Sequence, residues 1–85
     1  MELTIYDRNG RPHAYIAYGD EKIIYLWNGK PVAYLDGEHV YGFNSKHLGW
    51  FENGVMYDGQ GRRIGFTQKT YPSITQVEPV KSKIC

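Results

Sequence analysis

The stretch Ile24-Tyr25-Leu26-Trp27-Asn28-Gly29-Lys30-Pro31-Val32-Ala33-Tyr34 decides how this chain is read. An apolar residue and a tyrosine lead into Asn28-Gly29. A small residue and an aromatic lead out of it. Asn-Gly between apolar residues is a strong hairpin signal, because a type I′ turn needs positive φ at both central residues. The pattern is written three more times. Ile5-Tyr6, Val40-Tyr41 and Met56-Tyr57 precede Asn9-Gly10, Asn44-Ser45 and Gln60-Gly61, and Ala14-Tyr15, Gly49-Trp50 and Gly65-Phe66 follow them. The spacing of Tyr6, Tyr25, Tyr41 and Tyr57 leaves room for one hairpin per repeat and nothing larger.

The predicted fold is therefore all-β, with four repeated hairpins at 3–17, 22–36, 38–52 and 54–68. β-branched and aromatic residues suit a pleated, half-buried surface. Two-residue turns set a register in which Tyr6 faces His13, Tyr25 faces Val32, Tyr41 faces Leu48 and Tyr57 faces Ile64. One face then carries an aromatic ladder. The other pairs Ile5 with Ala14, Ile24 with Ala33, Val40 with Gly49 and Met56 with Gly65. A small residue at one place in every repeat points to a close approach of backbones. At Asn44-Ser45 the expectation is a local turn variant, since serine takes positive φ less readily than glycine.

A lone hairpin is marginal in water, so the four must bury one another. An open stack usually needs atypical end repeats. Here the first and last repeats keep the shared pattern, which favours a closed ring with pseudo-fourfold symmetry. The repeat domain is placed at 1–70. Residues 71–85 drop the pattern, carry Pro72, Pro79, Lys81 and Lys83, and are read as an extended C-terminal tail with Ile74 and Val77 as anchors.

The chain has 85 residues, enough for one small domain with a thin core, and eight tyrosines add apolar area. Ten Lys and Arg stand against nine Asp and Glu, so bulk charge selects no polyanionic partner. Cys85 is the one cysteine, which rules out an internal disulfide. No apolar run approaches the roughly 20 residues of a membrane helix. The N-terminal residues have neither the basic start nor the apolar stretch of a signal peptide. A cytoplasmic location without membrane contact is expected.

The segments Gly10-Arg11-Pro12-His13-Ala14-Tyr15-Ile16, Gly29-Lys30-Pro31-Val32-Ala33-Tyr34-Leu35 and His47-Leu48-Gly49-Trp50-Phe51, ahead of Tyr57-Asp58 and Gly61, together resemble the small bacterial four-fold β-flower proteins. The resemblance covers residues 3–68. It implies hairpins set like petals around a pseudo-fourfold axis. It brings no assigned activity, and so no catalytic residues.

The remaining candidates come from the residues. Arg11, Lys30, Lys46 and Arg62 each follow a turn, and a ring of cations attracts phosphates or carboxylates. Trp27 and Phe43 lie near them as aromatic surfaces for a ligand. Residues beside a turn are also simply solvated, and edge lysines discourage aggregation. His13, His39 and His47 lack the converging partners of a zinc site, so no metal is expected. Asp7 and Asp58 are read as turn acceptors. No nucleophile motif, phosphate loop or cofactor motif is present. The reading is a non-enzymatic protein-interaction or scaffold module whose partner is another protein or another copy. The alternatives are polyanion or nucleic-acid binding through the four cations, and glycan or small-ligand binding through surface aromatics.

Overall fold

The computed structural model describes residues 1–70, and the tail reading of 71–85 lies outside the described residues. Eight strands follow one another: β1 (Glu2–Tyr6), β2 (Pro12–Tyr18), β3 (Lys22–Leu26), β4 (Pro31–Asp36), β5 (His39–Gly42), β6 (His47–Glu52), β7 (Val55–Asp58) and β8 (Arg63–Phe66). Each pairs antiparallel with the next, and Tyr6 paired with Phe66 joins β8 to β1, so the sheet is a closed barrel. Closure removes the two edges that an open row of hairpins would expose.

The barrel has two ends. The four hairpin tips lie at one end, and the connectors after β2, β4 and β6 lie at the other. The inner face is aliphatic and small. Ile5, Ala14, Ile16, Ile24, Ala33, Leu35 and Val40 form the buried core, with Leu3, Phe51 and Met56 packed against it. The predicted close approach of backbones is found at Gly49, while at Gly65 the crowding comes from side chains. A Cβ on Gly49 would overlap the carbonyl oxygen of Tyr57, and one on Gly65 would lie 2.6 Å from Ile5 Cγ2.

The outer face carries aromatic rings, and the seams between hairpins are where they meet. Tyr15 pairs with Tyr25, Tyr34 with Tyr41, Trp50 with Tyr57 and Phe66 with Tyr6. The first two pairs stack, with centroids 5.2 and 5.6 Å apart. In these two seams the ring of one return strand stacks on the tyrosine of the next repeat, and at all four the strand pairing joins the repeats into one body.

The tips differ from the two-residue type I′ turns that the sequence suggested. The N–H of Gly10 donates to Asp7 O, and the N–H of Asp7 donates to Arg11 O. The other tips repeat this pattern at Leu26/Lys30, Gly42/Lys46 and Asp58/Arg62. Each tip is a type I turn followed by one residue in the left-handed region: Gly10, Gly29, Ser45 and Gly61, at φ 77°, 89°, 66° and 79°. Ser45 therefore keeps the turn of its siblings and is no local variant. The type I′ Asn-Gly turn of this chain is Asn53-Gly54, which connects β6 to β7 with φ 53° and 77°.

The three-residue loops change the register. Ile5 faces Ala14 as predicted, but Tyr6 faces Pro12 and not His13. Likewise Tyr25 faces Pro31, Tyr41 faces His47 and Tyr57 faces Arg63. One residue per hairpin is left over on the return strand: His13, Val32, Leu48 and Ile64. Each is the extra residue of a β-bulge, a device that re-aims a side chain.

Candidate docking face at the hairpin tips

Side-chain acceptors set the geometry of every tip. In the first and fourth hairpins an aspartate opens the turn. Asp7 Oδ1 accepts the N–H of Asn9 and Arg11, at 2.9 and 3.0 Å. Asp58 Oδ1 accepts those of Gln60 and Arg62, both at 2.9 Å. In the second and third hairpins an asparagine inside the loop takes over. Asn28 Oδ1 accepts from Lys30 N–H, and Asn44 Oδ1 from Lys46 N–H, each at 3.0 Å. Two local solutions reach one result: the backbone of Arg11, Lys30, Lys46 and Arg62 is held alike. Arg62 also bridges Asp58, Nε to Oδ2 at 2.8 Å. The Arg62 backbone N–H, helped by its guanidinium against the opposing effect of burial, holds the Asp58 carboxyl below the usual carboxylate range.

The four predicted cations thus occupy equivalent corners of one end, with exposed side chains. Arg8 and Arg63 lie at the same end, so six of the eight described Lys and Arg residues share it. Asp7 and Asp58 are its carboxylates, and both serve the turns. The opposite end reverses the balance. It carries Glu2, Asp20, Glu21, Asp36, Glu38 and Glu52 beside Lys22 and Lys69. The near-zero total charge conceals this axial separation.

Inside the ring of tips the barrel is open. A cavity of about 240 Å³ has the core residues Ala14, Ala33, Val40 and Gly65 as its floor. Its rim is made by the four bulged residues, His13, Val32, Leu48 and Ile64, with Leu26. Leu48 and Ile64 are 43% and 47% exposed, unusual for large aliphatics. In the predicted register these side chains belonged to the outer aromatic face. The bulge brings them to the mouth of the barrel. The signal was present in Pro31-Val32-Ala33, His47-Leu48-Gly49 and Arg63-Ile64-Gly65, where an aliphatic residue precedes the small one. Strict alternation leaves that residue on the wrong face.

The two aromatic candidates are not brought together in one site. Trp27 is half-buried, edge-on to Tyr15 at 6.0 Å. Phe43 is 56% exposed and stacks on Tyr34 with centroids 6.2 Å apart. Both occupy the first loop position of their tips, on neighbouring hairpins. A second cavity of about 490 Å³ runs along the outer wall, where Tyr34 and Phe43 meet Asp20, Glu21 and Asp36.

The histidines separate. His13 joins the rim, while His39 Nδ1 and His47 Nε2 share a hydrogen bond of 3.1 Å on the outer wall. Trp50 packs edge-on against His47, with centroids 4.9 Å apart. Among the described residues, no group of three or more His, Cys, Asp or Glu is placed to hold a metal. No helix there is long and apolar enough to cross a membrane.

A family model described as 4-fold beta flower protein matches residues 3–84. No curated protein and no solved structure matches the chain.

Proposed function

Because the chain belongs to the 4-fold beta flower family, whose function is unassigned, we propose from its own surface that it is a non-enzymatic protein-interaction or scaffold module that docks at the tip end. One observation carries this reading. Four bulges, one per hairpin, turn His13, Val32, Leu48 and Ile64 around an open apolar cavity on the axis. Leaving aliphatic side chains in water forfeits burial energy, and a partner that covers them recovers it. The cavity has room for one bulky side chain, a suitable anchor for an interface.

The test is affinity capture from native extract with three baits: the full chain, the chain without residues 71–85, and the double variant Leu48→Ser/Ile64→Ser. The full chain captures a partner that the rim variant loses, and calorimetry with that purified partner reproduces the loss. Equal binding by the rim variant overturns the reading. Dependence on the truncated segment alone transfers the function to residues 71–85.

A second reading has support in the charge distribution. Six cations at one end suit a polyanion such as a nucleic acid, with Arg11, Lys30, Lys46 and Arg62 as its contacts. Such binding weakens steeply as salt rises. Retention on heparin that survives the replacement of these four by serine would sink it.

A further inference from the structure

The two ends of the barrel carry opposite charge at the same four corners. At the tip end the corners hold Arg11, Lys30, Lys46 and Arg62, reinforced by Arg8 and Arg63. At the connector end each corner holds at least one carboxylate. Asp20 and Glu21 lie between the first and second hairpins, and Asp36 and Glu38 between the second and third. Glu52 lies between the third and fourth, and Glu2 where the fourth meets the first. Lys22 and Lys69 offset this only in part. Both rings of charge share the pseudo-fourfold arrangement of the hairpins.

We propose that the domain associates with further copies of itself head to tail, the cationic tip end of one copy docking on the carboxylate end of the next. This rests on the reading of the tip end as a docking face, and it commits that face to a partner. The argument is one of complementarity. Tip-to-tip and connector-to-connector contacts set like charges against each other, so two-fold pairing through either end is disfavoured. Head-to-tail contact sets four cationic corners against an end that has a carboxylate at every corner and an excess of negative charge. The match holds in each of the four rotational settings that the repeat allows. The outer wall adds a recess that reaches the connector end: the cavity of about 490 Å³ is lined there by Asp20, Glu21 and Asp36 with Lys22, and runs past Tyr34 to Phe43 at the tip of the third hairpin. Carboxylates and aromatic faces both attract guanidinium and ammonium groups. Such a contact is heterologous. A copy docked at one end leaves the opposite end free for another, so columns form instead of closed dimers.

Exposed charge pairs are individually weak and screened by salt, so the association is predicted to be modest and salt-sensitive. Sedimentation velocity across a concentration series tests it, in about 0.01 M salt, where charges interact over roughly 30 Å, and in about 1 M salt, where they reach roughly 3 Å. The average mass rises with protein concentration at low salt and falls to the monomer at high salt. Two charge-reversed chains sharpen the test: Arg11→Glu/Lys30→Glu/Lys46→Glu and Glu21→Lys/Glu38→Lys/Glu52→Lys. Each alone sediments as a monomer, because its two ends now share a sign. Mixed in equal amounts, they associate again. A parent chain that stays monomeric at low salt overturns the proposal, whether or not the reversed chains fold. So does association that both reversals leave intact. A monomeric parent that still captures a different protein through Leu48 and Ile64 sinks this inference alone and leaves the docking reading standing.

Discussion

The first two hairpins and the last two copy the same hydrogen bonds but not the same packing. Six of the seven buried core hydrophobics come from the first pair: Ile5, Ala14, Ile16, Ile24, Ala33 and Leu35. The second pair adds Val40, with Phe51 and Met56 only half-buried. The small position of the repeat follows the same division. It is alanine at 14 and 33, where a methyl group fits, and glycine at 49 and 65, where a Cβ meets Tyr57 O or Ile5. The aliphatic residues of the rim follow it too, with Val32 half-buried and Leu48 and Ile64 exposed, although His13 of the first half is exposed as well. The repeat therefore preserves backbone geometry, while stability and display are divided between halves. The N-terminal half supplies the core against which the C-terminal half holds its aliphatic residues open.

Four substitutions probe that division, and the largest effect belongs to Gly49→Ala. The added methyl group collides with backbone that cannot move without losing the β6–β7 ladder. A loss of about 4 kcal/mol or more is expected, close to the whole stability of a domain this size. The reverse change at the matching position, Ala33→Gly, is expected to cost only about 1–2 kcal/mol from added chain entropy and a lost methyl contact. Thermal melts of the two variants check the asymmetry, and equal losses would break it. Next come Ile16→Ala and Ile64→Ala. Ile16 is fully buried, so its truncation is expected to cost about 3 kcal/mol in urea titration. Ile64 lies on the open rim, and less than about 1 kcal/mol is expected there.

Ser45→Gly has a smaller effect of opposite sign. Serine occupies the left-handed position that glycine holds in the other three tips, so a gain of roughly 1 kcal/mol is expected from chemical denaturation. No gain would mean that the turn bonds of Asn44 already offset the strain. Smallest is Asp58→Asn. The folded carboxyl titrates below its usual range, so its contribution is present at neutral pH and lost as pH falls through that lowered value. The variant is expected to be less stable than the parent near neutrality. The two acid-unfolding profiles should converge only in strong acid, and a constant offset at every pH would contradict the linkage.

Much of this was legible in the residues. Asn28-Gly29, the alternation around it and its three copies were enough for four hairpins. The shared pattern of the first and last repeats favoured a closed ring over an open stack, and the pairing of Tyr6 with Phe66 is what closes it. Asp7 and Asp58 serve the turns as their positions beside the tyrosines suggested. The register at each tyrosine was not legible. Asn9-Gly10 and Asn28-Gly29 read as type I′ turns, yet in each only the glycine has positive φ. The dipeptide fits both a two-residue type I′ loop and a three-residue loop ending in left-handed glycine. That one-residue difference hid the rim, because it decides whether Val32, Leu48 and Ile64 join the aromatic wall or the mouth of the cavity.

From its own residues, then, the chain determines four two-stranded pieces, their order and their inner and outer chemistry. Turn preference and alternation act within a few positions, and no distant contact is needed to read them. Only the assembled barrel decides where the bulged residues point and whether β8 finds β1. It alone turns a near-neutral composition into a basic end and an acidic end. These depend on loop length and ring closure, which bring residues far apart in the chain to one surface.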